Sequence, residues 1–434
     1  MYRVALDFLV DWKKRTNRKP LIIRGARQVG KTHLVKMFSS EYENIIIINF
    51  EENTEYKEFF STNEVDSIIQ NISLAKGEKF HPGNTLLFLD EIQICPEAIT
   101  TLRYFYEKRP ELHVIAAGSL LDHVLNKLTL PMPVGRVEFL YMYPMSFHEF
   151  LVAMGEDLLV DFLVKYKLQQ QISTVVHKKL LQYLRTYFFV GGMPEAVKVY
   201  QETSDLLEVE RVHESILTSM EIDFAKYAKN GNPEHLRTVM RFVPRGIGKK
   251  MKWSAIDDSI KSTTLKQAFE KLEMSRIVHS VSASSSASTP LYQSIKKNTF
   301  KPLFGDIGLA GHLLGIRLIE PGNLMLANEG ELAEQFIGQQ LINRSPNFID
   351  NKLFYWVREK SDSNAEIDYL LEHQNVVIPI EVKAGKTGTL KSLHVFMKEK
   401  NKPLAIRFNT DLPSEMNVNV SLKMKHDIET VGYR

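Results

Sequence analysis

The residues best suited to chemistry lie early, in Gly25-Ala26-Arg27-Gln28-Val29-Gly30-Lys31-Thr32. Two glycines permit backbone angles and close approaches that a Cβ would block. The amides of such a loop point at a polyphosphate seated on the following helix N-terminus. Lys31 would neutralise β- and γ-phosphates, and the Thr32 hydroxyl would hold Mg²⁺. The ligand expected is a nucleoside triphosphate, with the purine left open by the spacing. A second motif, Thr85-Leu86-Leu87-Phe88-Leu89-Asp90-Glu91, is an apolar run ending in two carboxylates. Asp90 fits a Mg²⁺ ligand, and Glu91 fits the group that orients and activates an attacking water. The bland alternative is a strand running into a solvated acidic turn. A third run, His113 to Ser119, ends in a hydroxyl that either senses the γ-phosphate or caps a helix.

These groups need a parallel sheet to bring them together. Residues 1–150 alternate strand and helix, with strands predicted at Leu21–Arg24, Ile45–Phe50, Leu86–Leu89, Val114–Ala117 and Val137–Tyr141. Ligands on such sheets bind beyond the carboxyl ends of the strands, where Gly25, Asp90 and Ser119 all fall. From Ser146 the apolar spacing becomes helical, and residues 151–230 read as an all-helical lid. Gly191-Gly192 and Pro194 stop one of its helices, although a hinge is the alternative. Residues 231–322 give short helices, then Ile277–Val281 and a Ser-rich loop, Ser282–Thr289, the pattern of a winged helix. Arg237, Arg241, Arg245, Lys249, Lys250, Lys252, Lys261, Lys266 and Lys271 fall here, either as a phosphate-backbone surface or as solvated helix faces. Residues 323–434 read as a second α/β unit.

Composition narrows the class. The chain has 434 residues, 44% hydrophobic and 25% charged, which suits a soluble protein of several domains. No apolar run spans a membrane, and the first residues lack a signal-like apolar region. A single cysteine, Cys95, excludes an intramolecular disulfide and suits the cytoplasm. The net charge of +3 confines any DNA contact to local patches.

The sequences GARQVGKT, LLFLDEIQ and AAGS, then Gly135-Arg136 and Tyr143-Pro144-Met145-Ser146-Phe147-His148-Glu149-Phe150, resemble the AAA-type ATPases of bacteria and archaea. Phe189-Val190-Gly191-Gly192-Met193-Pro194-Glu195, Ala365-Glu366-Ile367-Asp368 and Ile380-Glu381-Val382-Lys383 match one subgroup. Its C-terminal part is an uncharacterised domain with a restriction-endonuclease-like core. The resemblance implies an AAA-type P-loop ATPase domain and that C-terminal α/β domain, with the helical lid and winged-helix-like domain read from the spacing lying between them. It also implies that Arg136 is an arginine finger acting on a neighbouring copy of the chain, the alternative being an ordinary surface arginine.

The C-terminal motifs have a reading of their own. Strand side chains repeat every two residues, so Glu381 and Lys383 share a face, and a hairpin through Glu372-His373-Gln374-Asn375 brings Asp368 near Pro379 to Glu381. Glu334, on the preceding helix, would complete a metal-dependent phosphodiesterase site, with Asp368 and Glu381 on Mg²⁺ and Lys383 positioning water. Alternating charge also describes any half-exposed hairpin, and Glu-x-Lys any surface ion pair. Pro379 suggests an edge strand or a bulge. Two functions follow as expectations. In one, Mg²⁺-dependent ATP hydrolysis controls a nuclease-like module acting on DNA. In the other, the chain is a nucleotide-controlled switch that binds a protein partner, and its nuclease-like domain is inactive.

Overall fold

A computed structural model describes residues 1–119, 121, 135–168, 170–227, 232–316, 329–344, 347–358, 365–383 and 390–415. The chain divides into two compact units. The first comprises Met1–Pro144 with the short pieces Met274–Arg276 and 347–350; the second comprises Met145–Glu273, Ile277–Arg344 and Asn351–Arg434.

In chain order the first unit contains α1 (Ala5–Lys14), β1 (Leu21–Gly25), α2 (Lys31–Phe38), β2 (Asn44–Asn49), α3 (Val65–Lys76), β3 (Thr85–Asp90), α4 (Pro96–Lys108), β4 (His113–Gly118) and β5 (Glu138–Met142). The strands form one all-parallel sheet in the order β2-β3-β4-β1-β5. Alternate residues of the central strands feed two cores. Ile22, Leu87, Leu89, Val114 and Ala116 pack on one face with residues of α3 and α4. Leu21, Ile23, Leu86, Phe88, Ile115 and Ala117 pack on the other with residues of α1 and α2. Burial on both faces is why these strands read as continuous apolar runs.

The second unit begins with helices α5 (Phe147–Ala153), α6 (Asp157–Lys165), α7 (Thr174–Val190), α8 (Pro194–Thr203), α9 (Leu206–Tyr227), α10 (Pro233–Phe242) and α11 (Ser262–Met274). There follow β6 (Val278–Ser284), β7 (Ile295–Phe304), α12 (Ile307–Leu313), α13 (Glu329–Ile342), β8 (Leu353–Val357), β9 (Glu366–His373), β10 (Val376–Val382), α14 (Lys391–Lys400) and β11 (Ile406–Phe408). Ser146 starts α5 with a reciprocal cap: its Oγ accepts from the Glu149 amide, and its own amide donates to Glu149 Oε2.

The hairpin expected to be a wing is integral to the C-terminal sheet. Six strands run β11-β10-β9-β8-β6-β7, with β6 parallel to β8 along Val281–Ser284. The boundary expected between residues 322 and 323 therefore falls within one sheet. Ser282 to Ser284, read as loop, are strand. A fully buried Ser284 satisfies its hydroxyl on Ser294 Oγ at 2.7 Å, which removes the penalty that serine normally carries there. The β9–β10 turn is tighter than expected, because Gln374 and Asn375 both take positive φ and His373 pairs with Val376. Pro379 lies in a strand flanked on both sides, but β11 pairs only from Ile380 onward. The missing N–H therefore falls where β10 has no partner on that side.

Candidate nucleotide site and a C-terminal carboxylate cluster

The loop Gly25–Thr32 leaves the carboxyl end of β1 and enters α2. Gln28 and Gly30 take φ of 62° and 90°, which wraps the chain into the left-handed turn needed before the helix. At Gly25 a Cβ would lie 2.3 Å from the Met142 carbonyl, so the close packing of β1 on β5 excludes any larger residue. Buried Arg3 clamps the loop from behind, donating to the carbonyls of Val29 at 2.6 Å and Tyr143 at 2.7 Å. Nothing in the spacing of motifs points to Arg3, because its role depends on α1 returning to the loop.

Lys31 Nζ donates to the carbonyls of Ala26 at 2.7 Å and Gly25 at 3.0 Å. Burial holds its ammonium down at about 8, a shift that Glu91 and Asp90 partly oppose. The Thr32 hydroxyl donates to Asp90 Oδ2 at 2.9 Å. That bond spans from α2 to the end of β3, although β4 separates β3 from β1 in the sheet. Burial pushes the Asp90 carboxyl above its usual range, against the hydrogen bond from Thr32. A hydroxyl and a carboxylate oxygen side by side at a helix N-terminus are the donor set a hard divalent cation takes. Thr32 and Asp90 therefore fit Mg²⁺.

Glu91 follows β3 in a left-handed conformation, φ 51°, and Gln93 Nε2 donates to its carboxylate. Sequence reading missed Gln93. Its side chain packs where a Cβ on Gly118 would stand 2.0 Å from Gln93 Oε1, at the carboxyl end of β4. One residue on, Ser119 Oγ is buried without a hydrogen-bond partner among the described residues. An orphaned hydroxyl between the loop and the acidic pair is suited to an acceptor oxygen of a phosphate. Arg136 is elsewhere. It precedes β5, at the amino end of the sheet, and donates to Glu107 Oε1 at 2.8 Å while half exposed. With Glu138 level with Leu21, Arg136 is a strand length from Gly25, so it cannot serve the phosphates of its own chain.

In the second unit the predicted residues Glu334, Asp368, Glu381 and Lys383 do converge, but around a residue the motifs omit. Lys301, on β7 and almost fully buried, places Nζ 2.6 Å from Glu366 Oε1, 3.5 Å from Glu334 Oε2 and 3.7 Å from Asp368 Oδ1. Asp368 Oδ2 accepts the Val382 amide at 2.8 Å. Lys383 pairs with Glu381 Oε1 at 2.6 Å, while Glu381 Oε2 is buried without a partner among the described residues. Burial works to lower Lys301, yet Glu334, Glu366 and Asp368 hold it above the usual lysine range. Burial, then Asp368, pushes Glu334 up to about 7. Burial raises Asp368 and Glu381 as well. With the Lys301 ammonium among Glu334, Glu366 and Asp368 and the Lys383 ammonium on Glu381, cations already occupy the place that Mg²⁺ would need, and these carboxylates do not fit it as they stand. Among the described residues no group of three or more acidic, histidine or cysteine side chains is arranged to hold a metal ion.

Five of the nine basic residues singled out in the 231–322 segment form ion pairs. Arg237 and Arg241 both pair with Glu221, Lys249 with Glu331, Lys250 with Glu366 and Lys266 with Glu270. Among the described residues no helix is long and apolar enough to cross a membrane.

Comparison with known proteins agrees with the first unit and leaves the second open. Residues 17–151 match the model of an AAA domain. Residues 181–319 and 329–418 match two domains of unknown function, DUF8612 and DUF4143. No curated protein sequence matches the chain. Among solved structures, the Walker-type ATPase paby2304 of Pyrococcus abyssi is 16% identical, with a TM-score of 0.45 over 72% of this chain and 95% of that one. The Aeropyrum pernix ORC2 protein, in ADPNP–ADP complexes, is 12% identical, with a TM-score of 0.37 over 72% and 91%. Drosophila ORC bound to DNA is 13% identical, with a TM-score of 0.26 over 71% and 84%. The phosphate loop, the Thr32–Asp90 contact and the parallel sheet thus belong to an AAA-type P-loop ATPase domain.

Proposed function

We propose that the chain hydrolyses ATP with Mg²⁺ and that its nucleotide state governs the C-terminal module. The contact between Thr32 and Asp90 carries this reading, because it unites the loop and the acidic strand end at one point. The amides of Gly25, Ala26, Arg27, Gln28, Val29 and Gly30 wrap the phosphates, and Lys31 leaves its loop carbonyls to neutralise them. Thr32 and Asp90 would hold Mg²⁺, which would offset the charge of the phosphates. Glu91, held by Gln93, takes the attacking water's proton, and Ser119 Oγ donates to the γ-phosphate. Arg136 acts on the site of a neighbouring copy, which makes a homo-oligomer part of the proposal. The cytoplasm suits this chemistry.

Binding and turnover separate the roles. Lys31→Ala is expected to lose uptake of labelled ATP, while Glu91→Gln keeps uptake and loses about 10²–10⁴-fold in turnover. Unchanged uptake in Lys31→Ala would sink the proposal.

For the C-terminal module, a restriction-endonuclease-like core acting on DNA is one reading. The second, a switch that binds a protein partner through an inactive nuclease-like domain, is favoured by Lys301 within the carboxylates and by the pairing of the basic side chains. Turnover measured with and without single-stranded and duplex DNA separates them. Stimulation by DNA, with Mg²⁺-dependent cleavage lost in Asp368→Ala, supports the first reading; neither effect supports the second.

A further inference from the structure

Lys301 is the most deeply buried cation of the C-terminal cluster, and it comes from outside the cluster's motifs. It stands on β7, whereas Asp368 and Glu366 stand on β9, with β6 and β8 between those strands in the sheet. Few residues are as costly to bury as a lysine, and its ammonium is retained here only because three carboxylates surround it. The opposite half of the cluster is closed in the same way. Lys383 holds Glu381, Lys250 lies 3.5 Å from Glu366 Oε2, and the Val382 amide fills the second oxygen of Asp368. Four carboxylates thus face three ammonium groups within the cluster.

We propose that Lys301 is a tethered cation standing in for a divalent metal ion, so that the cluster fastens β7, β9, β10 and α13 to one another and takes up no metal. A divalent cation needs several oxygens about 2.0–2.6 Å away. Of the cluster's carboxylate oxygens, Glu381 Oε2 is the one both buried and without a hydrogen-bond partner among the described residues, and one oxygen is not a coordination shell. An ion shared by Asp368 and Glu381 would also stand against the ammonium that neighbours Asp368. It would repel that charge at short range, in surroundings that screen poorly. The charge a metal would bring is already in place, covalently attached and unable to activate water.

Mn²⁺ binding to the full-length, nucleotide-free chain tests this, read by the loss of the free-ion paramagnetic resonance signal. Asp90→Asn in every arm silences the nucleotide site. The parent is expected to show no site that Asp368→Asn removes. Lys301→Met is expected to gain one Mn²⁺ per chain, roughly 10-fold or more tighter than any site in the parent, and to lose it again on adding Asp368→Asn. Lys301→Gln, which keeps a polar end, serves as the second variant if the methionine does not fold. A Mn²⁺ site in the parent that Asp368→Asn abolishes would overturn the proposal. So would a folded Lys301 variant that gains nothing. Neither readout depends on ATP turnover, so failure here leaves the nucleotide site untouched.

Discussion

At the scale of single residues, the nucleotide site is defined by charges that burial has made expensive. Without a ligand, burial holds Lys31 down at about 8 against its usual 10.5. A bound triphosphate supplies the opposite charge and raises it again. Below about 8 the ammonium is already present; between about 8 and 10.5 it must be formed as ATP binds. ATP binding is therefore expected to take up a proton above that value and none well below it. Binding heats compared in buffers of different ionisation enthalpy measure the difference, and equal uptake on both sides of the value would refute it. Gln93 makes a second prediction. Its amide fixes the Glu91 carboxylate, so Gln93→Ala should lower kcat by up to about 10²-fold while leaving ATP affinity unchanged. An equal loss in affinity would show that Gln93 merely supports the fold. Lys31, Thr32, Asp90 and Glu91 were legible in the sequence because strand–loop–helix spacing fixes what each can reach. Gln93, Arg3 and Lys301 were not. Each acts across a tertiary contact, and a lone Gln, Arg or Lys carries no pattern.

At the scale of elements, the Gly191-Gly192 motif resolves into a clasp. The helix α7 ends at Val190, and Gly191 adopts φ 69°. Buried Asp306, which also caps α12, accepts the Gly192 amide at 2.6 Å and the Leu309 amide at 3.1 Å. Gln339 of α13 donates to the same carboxylate at 3.2 Å. A helix stop is thus what the pair provides locally, and its reason is long-range. A Cβ on Gly191 would stand 2.2 Å from Asp306 Oδ1 and would strain a positive φ. Gly191→Ala is expected to cost at least about 2 kcal/mol in the second unit, read as a lower denaturant midpoint with an unchanged slope. A midpoint within error of the parent would mean that Asp306 gives way freely. Strand positions in the first unit were readable to within about a residue, since burial on both faces makes apolar runs sharp. The β6–β7 hairpin was misread because sequence order placed it beside short helices. Its true partner, β8, lies some seventy residues further on.

At the scale of the whole molecule, the question is whether ATP in one unit is felt in the other. The first unit holds every residue of the phosphate site, and the second holds the clasp, the sheet and the Lys301 cluster. Binding alone stabilises the unit that binds, by about 2.7 kcal/mol at a ligand concentration 100 times Kd. Control of the C-terminal module requires more, namely a coupling free energy that ATP expends on the second unit, typically about 1–3 kcal/mol. Such coupling should appear as altered amide exchange in α13, whose Glu334, Gln335 and Gln339 hold the cluster, β7 and the clasp. In Glu91→Gln, which is expected to retain ATP, that change should persist for as long as nucleotide is bound, and Lys31→Ala should abolish it. Protection that rises in β1, α2 and β3 but stays fixed in α13 would leave a working ATPase with an uncoupled module. The proposal of nucleotide control would then fail even though the chemistry of the loop stood.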